Sequence, residues 1–505
     1  MTEARQLLDC TLRDGGYYTD WEFDPGFATR YLDTVAEQEI SDVEIGYLYQ
    51  NSASFLGRYS FVDYRLLEEA KARLRPDQRV WVMVNEKETD AARIEKLLRP
   101  MVGVLDGVRF ATRPDHIADI GESVSAVRSL GVRTAANVMY LHRWVHDPSQ
   151  VLADLPPSVD VLNLVDSYGA CYPEQISRCV RAICDAADFE VGFHGHDNLR
   201  LAVANALSAH DAGASCADAT LTGMGRGAGN AQTETLLLHR QGERPKRTAS
   251  LLRLLDELEA WRSSAGWGAS YPYGLAATAG VPQGAIMDLL SVRRYDSSLI
   301  ADAAGDDVRV DSVEYPNYQI SAGDGGDSVI IVGGGDSVRR NVHRIVDVAR
   351  RTKRQLVLVS LRHAELLMAA NAEFDVCLVG VEASRRWQPE LGSFVRTVVV
   401  PEPPRHANST PDSLDRPIRQ QRVTNGPRHQ IGEIEDAAPL SLALQACMDS
   451  GVEALVVGFD GYDDKSDARS RETAEAFASF RRAGMQVRSA TPTTYDLDIE
   501  PLYGL

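Results

Sequence analysis

Two histidines separated by one residue, in FHGHDN at 193–198, close a short apolar run and are followed directly by Asp and Asn. Much earlier, LDCTLRDGGYY at 8–18 sets Arg13 and Asp14 side by side just past another apolar run. In an extended chain, residues i and i+2 point to one side, so His194 and His196 project together. Two imidazoles and a carboxylate make a ligand set for a divalent ion, with room left for substrate or water. By ligand type the set suits Mn²⁺, Co²⁺, Fe²⁺, Zn²⁺ or Mg²⁺. Histidines on a strand are also compatible with plain packing and hydrogen bonding, so the metal reading depends on whether the chain carries Asp14 to them.

The elements that would do so recur through the first 225 residues. Apolar, β-rich runs occur at 6–10, 42–46, 80–84, 107–111, 133–138, 160–165, 190–194 and 217–221. Between them lie stretches such as PEQISRCVRAICDAA, with apolar residues at helical spacing. Eight strand–helix units in this length predict a closed (β/α)₈ TIM barrel; the alternative is an open, doubly wound sheet. A barrel gathers its functional side chains at the carboxyl ends of its strands. Asp14 follows strand one, and the two histidines end strand seven. Alternate strands feed the same interior layer, so the three side chains converge.

Helical patterns over residues 240–320 could complete the outer layer. After SAGDGGD at 321–327 a second alternating series begins, with strands expected at 328–332, 355–360, 375–380, 397–400, 454–458 and 485–489. This predicts three parts: a barrel domain at 1–300, a linker at 301–324, and a smaller Rossmann-like α/β domain at 325–505. The polar segment 401–437 is long for a loop and reads as a mobile lid or a disordered insertion. VGGGDSV at 332–338 is placed as a phosphate-binding turn would be. It lacks the full GxGxxG pattern, and no acidic residue ends the next strand, which argues against a nicotinamide cofactor. GFDGY at 458–462 is either part of a binding cleft or a structural corner.

Composition narrows the function. The 505-residue chain has a formal charge of −19, which disfavours nucleic acid and anionic membranes as partners. No apolar run is long enough to span a bilayer, and the N-terminal residues lack the apolar stretch of a signal peptide, so a cytoplasmic protein is expected. The seven cysteines form no CxxC pair and read as thiols, none assigned to metal.

DCTLRDGG, EIGY at 44–47, DSYG at 166–169, HGHDN at 194–198 and GMGRGAGN at 223–230 together resemble the motif set of the DRE-TIM metallolyases. Within that family, residues 194–234 are most similar to pyruvate aldolases of the 4-hydroxy-2-oxovalerate aldolase type. The resemblance spans roughly residues 5–290. It implies a divalent-metal cofactor, most often Mn²⁺, held by Asp14, His194 and His196, with Asn230 as a further direct or water-linked ligand. Arg13 would face the enolate oxygen, where a guanidinium offsets developing negative charge. Glu44 would hold Arg13 through a forked pair. Ser167 would bind a substrate carboxylate, although Asp-Ser is also an ordinary turn. Tyr273 resembles weakly a substrate-contacting tyrosine. The glycines at 223–229 would let backbone approach the site, and a phosphorylated or CoA substrate stays open there.

One position departs from the pattern. Pyruvate aldolases place a histidine where this chain has Tyr17, and the related synthases place glutamine. Tyr17 or Tyr18 would either shuttle a proton, with a pKa lowered by the metal and Arg13, or line the pocket. The expected activity is a metal-dependent (class II) aldolase, a carbon–carbon lyase joining or separating a 2-oxo acid enolate and an aldehyde. The substrates are small molecules, and a homo-oligomer is expected. The alternatives are an acyl-CoA Claisen-type synthase or lyase on the same barrel, and a nucleotide- or sugar-nucleotide-binding module with the barrel as scaffold.

Overall fold

Strand-forming sequence in the first half is apolar on both faces, as VWVMV shows, and such runs are stable only when covered on both sides. Eight of them close into a parallel barrel. They are β1 (Gln6–Asp9), β2 (Asp42–Tyr47), β3 (Arg79–Asn85), β4 (Gly107–Thr112), β5 (Arg133–Val138), β6 (Val161–Asp166), β7 (Glu190–Gly195) and β8 (Cys216–Ala219). Closure is made by β1 against β8, from Gln6 opposite Cys216 to Asp9 opposite Ala219. The computed structural model describes residues 6–49, 55–85, 90–186, 189–241, 248–295, 297, 300–301, 310–320, 328–380, 387–410, 416–431, 434–462 and 467–505. The barrel, rather than an open doubly wound sheet, is the architecture of the first half.

The surrounding helices start where the sequence provides caps. Asp24, Asp63 and Asp90 each accept the backbone N–H three residues on, opening helices Pro25–Glu37, Tyr64–Arg73 and Ala91–Leu98. Helix Ala249–Ala265, predicted for the outer layer, packs Trp261 on Phe27 with ring centroids 4.6 Å apart. Among the described residues no helix is long and apolar enough to cross a membrane.

The chain divides into two compact units, Met1–Gly284 and Ala285–Leu505. The second holds a parallel sheet of eight strands: β9 (Ser328–Val332), β10 (Leu356–Leu358), β11 (Phe374–Cys377), β12 (Val395–Pro401), β13 (Ile418–Gln421), β14 (Glu453–Val457), β15 (Val487–Ser489) and β16 (Asp498–Ile499). Their order, β13-β12-β11-β10-β9-β14-β15-β16, is doubly wound, with the chain growing outward from β9 and then crossing to β14. Alternation buries both faces: Ile330 and Val332 join one core, Val329 and Ile331 the other.

All six strands expected here are present, and the sheet gains two more, β13 and β16. β13 lies inside the 401–437 segment, so the expectation of a lid or disordered insertion is corrected for its described part. Ile418–Gln421 pairs with β12, Arg405–His406 pairs with Val310–Asp311, and Arg428–Ile431 with Ile434–Ala437. The stretch SAGDGGD at 321–327 lies outside the described residues.

Candidate metal and enolate site

Asp14 reaches the barrel mouth on a single turn of helix, Thr11–Asp14, that follows β1 directly. Asp9 fastens this turn: its carboxylate accepts from Thr11 N (2.9 Å), Tyr31 Oη (2.5 Å) and Thr233 Oγ1 (2.6 Å). Trp21 Nε1 donates to the Arg13 carbonyl at 2.7 Å. Arg13 and Asp14 are thereby held buried, 6% and 2% exposed.

At this point the two stretches 8–18 and 193–198 meet. His194 Nε2 stands 3.5 Å from Asp14 Oδ2, and the His194 and His196 rings are 5.2 Å apart. Asn230 donates its amide to the same Asp14 oxygen. Arg13 sends Nη1 to Asp14 Oδ1 at 2.5 Å and Nε to Glu44 Oε2 at 2.7 Å. The expected fork between Arg13 and Glu44 is not formed. Arg13 reaches Oε2 alone, an oxygen it shares with Arg109 Nη1 at 3.1 Å, and Oε1 has no hydrogen-bond partner among the described residues.

Below these groups lies a buried polar layer that the strand patterns did not single out. Arg109 on β4 reaches Asp218 on β8 as well as Glu44 on β2, contacts possible only through the barrel interior. Asp218 Oδ2 also faces His194 Nδ1 at 3.1 Å and accepts Asn163 Nδ2 at 3.0 Å. A side chain at Gly192, beside Asn163 on β7, would run into the Asn163 amide oxygen. The available signal was one polar residue inside each of several apolar strands: Arg in GVRFA, Asn in RTAANV, Asn in DVLNLV, Asp in ADATL.

The electrostatics suit a cation. Burial would raise the Asp14 pKa, but Arg13 and the two histidines bring it below the ordinary range. Burial, then His194, pushes His196 down to about 3, leaving a neutral imidazole with a free lone pair. Three carboxylates, Asp14, Glu44 and Asp218, face two guanidiniums, Arg13 and Arg109, with His194 set between Asp14 and Asp218. His196 Nδ1 and Asn230 Oδ1 are buried with no hydrogen-bond partner among the described residues. A separation of 3.5 Å between Asp14 Oδ2 and His194 Nε2 matches two ligands each about 2.0–2.2 Å from one ion. Cys10 also lies within ligand range of Asp14 and His194. Its thiol donates to the Ala219 carbonyl at 3.4 Å and is driven well upward by burial, so it packs as a protonated thiol.

The remaining expected residues sit on the rim. Tyr17 packs edge-on against Trp21 at 4.9 Å, with the Arg226 guanidinium 5.5 Å from its ring centre. Tyr18 donates to the Gly227 carbonyl at 3.2 Å, and burial raises its pKa, opposite to the lowered value expected. Ser167 Oγ accepts Tyr140 N at 2.9 Å, and Asp166 takes the N–H groups of Ala170 and Cys171, so DSYG is also a built turn. Ser167 and Tyr273 are tied to the HGHDN loop through Asn198 and Gln283. Asn198 Nδ2 donates to the Tyr273 carbonyl at 3.2 Å, and Gln283 Nε2 donates to Asn198 Oδ1 at 2.8 Å and the Ser167 carbonyl at 3.0 Å. Gln283 was not anticipated.

In the second unit, VGGGDSV does form a strand–turn–helix, with Gly335 capping helix Asp336–Arg351. Ser337, at its N-terminus, is already engaged. Ser337 N donates to Asp460 Oδ2 at 2.7 Å, and Ser337 Oγ to Asp460 Oδ1. A carboxylate from GFDGY thus stands where a phosphate would, and that motif is a structural corner.

A family signature described as HMGL-like matches residues 4–257. An oxaloacetate decarboxylase from Mycobacterium tuberculosis is 32% identical over 242 residues, 47% of this chain and 70% of that protein. A 4-hydroxy-2-oxovalerate aldolase from Burkholderia pseudomallei is 34% identical over 250 residues, 48% of this chain and 70% of that protein. The crystal structure of an N-terminal domain from Bacteroides vulgatus, provisionally named an aldolase, superposes with a TM-score of 0.53 at 31% identity. It covers 57% of this chain and 96% of that one.

Proposed function

Because the chain belongs to the HMGL-like family, the DRE-TIM metallolyases, and is a carbon–carbon lyase, we propose that it is a divalent-metal-dependent aldolase acting on pyruvate or a related 2-oxo acid and an aldehyde. One observation carries this reading: a buried carboxylate and the His194 imidazole meet at the barrel mouth, with the His196 ring beside His194, the Asn230 amide on Asp14, and a fixed guanidinium alongside. Asp14, His194, His196 and Asn230 hold the ion. When bound, a divalent cation there supplies Lewis-acid polarisation of a chelated 2-oxo acid.

The chain's own groups do the rest. Arg13, fixed by Glu44 and Asp14, offsets the negative charge that develops on the keto oxygen as a methyl proton passes to solvent water. Ser167, on the adjoining rim, binds the substrate carboxylate. The enolate carbon then attacks the aldehyde carbonyl carbon, and the new alkoxide takes a proton from the Tyr17 hydroxyl. Cleavage runs the same steps backward. A second reading is favoured by the decarboxylase relative: loss of CO₂ from a 2-oxo diacid yields the same enolate, and protonation completes it.

Both readings require enolisation of pyruvate, so the test is deuterium incorporation at its methyl group, followed by NMR in D₂O with Mn²⁺ present. Exchange is expected in the wild type, abolished by a chelator and by His194→Ala. Exchange that persists in His194→Ala with no metal requirement overturns the proposal. Comparing aldol addition with decarboxylation, and with acetyl-CoA as donor, then separates the two readings from a Claisen-type reaction.

A further inference from the structure

Arg109 is 2% exposed, and its nitrogens go to three different strands. Nη1 donates to Glu44 Oε2 at 3.1 Å, Nη2 to Asp218 Oδ2, and Nε to Asn137 Oδ1 at 3.2 Å. Both carboxylate oxygens it takes also serve the mouth of the barrel. Glu44 Oε2 accepts Arg13 Nε at 2.7 Å, and Asp218 Oδ2 lies 3.1 Å from His194 Nδ1. One guanidinium therefore stands behind both Arg13 and His194.

We infer that Arg109 is a positioning residue that fixes the tautomer and aim of His194 through Asp218 and the aim of Arg13 through Glu44, so that metal affinity and enolate stabilisation depend on one internal tie. This rests on the metal-dependent enolisation proposed above. A histidine that donates Nδ1–H to a carboxylate presents a bare Nε2, and here Nε2 faces Asp14 at 3.5 Å. The planar fork of arginine is what spans two carboxylates and an amide at once. A lysine ammonium, a single point of charge on a flexible stem, cannot hold all three in place.

The two arms separate by mutation. Asp218→Asn cuts the arm to His194: Mn²⁺ affinity, measured by electron paramagnetic resonance, is expected to fall about 10–100-fold. Pyruvate methyl exchange at saturating Mn²⁺ is expected to fall less than in Glu44→Gln. Glu44→Gln cuts the arm to Arg13 and gives the converse, slowed exchange with Mn²⁺ affinity kept. Arg109→Lys is expected to show both losses. A merely structural Arg109 would lower the melting temperature and move neither quantity in folded protein, and that result overturns the inference. A measurement on the metal-free wild type stands beside the variants in case Arg109→Lys does not fold. In ¹⁵N-histidine NMR, His194 Nδ1 is expected to carry its proton, and a bare Nδ1 overturns the inference. Failure of the wild type to bind any divalent ion would instead remove the functional reading, which the metal-free tautomer measurement tells apart.

Discussion

Asn230 donates its side-chain amide to Oδ2 of Asp14, a residue 216 positions earlier in the chain. The contact exists because β8 and β1 are neighbours only in a closed barrel, and because the loop after β8 folds back on itself. Asn230 N donates to the Gly223 carbonyl at 3.1 Å, and the Asn230 and His196 backbones form an antiparallel bridge. Gly225 leaves the space the amide occupies, since a Cβ there would come within 2.5 Å of Asn230 Nδ2. Asn230 thus depends on both ends of the motif set for its place.

Asn230→Ala removes that donor and the orphaned amide oxygen together. Metal affinity by calorimetry is expected to fall about 10–100-fold, as when a ligand or its supporting partner is lost. Fold stability should drop by about 1–3 kcal/mol at most, the size of one buried hydrogen-bonding defect. Unchanged affinity would show that Asn230 takes no part in holding the ion.

Gly169 tests how tightly the DSYG turn is packed against HGHDN. Its φ is +56°, and a Cβ there would lie 2.6 Å from the His196 carbonyl oxygen and 2.7 Å from Asn198 N. Gly169→Ala therefore combines a left-handed conformation with a backbone clash. A loss of about 1–3 kcal/mol is expected in thermal or denaturant unfolding. Metal affinity should fall as well, because the residue pushed aside carries His196. Wild-type values for both would mean that the turn can move away freely.

The parts legible in the sequence share one property: their chemistry is local. Asp14 follows its strand directly, and His194 and His196 are placed by the two-residue repeat of a strand. Arg109 and Asp218 were hidden because each is one polar residue in an apolar strand, and their partnership appears only once β4 and β8 face each other across a barrel. That Arg13 and Arg109 share one oxygen of Glu44 is hidden for the same reason. In the second unit, β9 was plain because SVIIV is apolar on both faces. β13 was obscure because IRQQ, at the sheet edge, has a single apolar residue. GFDGY could not be assigned until Asp460 was seen to cap the helix after β9.

Tyr17 and Tyr18 are neighbours with opposite expectations. The Tyr18 hydroxyl is held by the Gly227 carbonyl and its pKa is raised, so Tyr18→Phe should cost about 1 kcal/mol of stability and leave turnover near wild type. Tyr17→Phe removes the proposed proton donor to the alkoxide. Aldol turnover is then expected to fall about 10²–10⁴-fold, while pyruvate methyl exchange, which precedes that step, persists. Equal loss of both rates in Tyr17→Phe would place the hydroxyl at enolisation instead.

The second unit carries its own pH dependence in a buried cluster. Arg294 grips Glu472 through Nη1 at 3.0 Å and Nη2 at 2.6 Å, and His429 Nε2 adds a contact of 2.8 Å. Burial opposes the charge on Glu472, but His429 and Arg294 prevail and bring its pKa to about 2. A carboxylate whose folded pKa is depressed stabilises fully above its ordinary value near 4.5, and this contribution is lost as pH falls toward 2. At about 1.4 kcal/mol per tenfold change in proton affinity, the cluster is worth on the order of 3–4 kcal/mol. Asp436, which accepts Tyr295 Oη at 2.9 Å, behaves oppositely: burial pushes it up to about 6. Its contribution is complete below about 4 and is lost as pH rises through 6. Thermal unfolding of the full chain should therefore show Glu472→Gln converging on wild type as pH is lowered from 5 to 2. Asp436→Asn should gain on wild type between pH 4 and 7, with shifts of several degrees in each case. Parallel wild-type and variant curves across both ranges would show that neither carboxyl group is coupled to folding in this way.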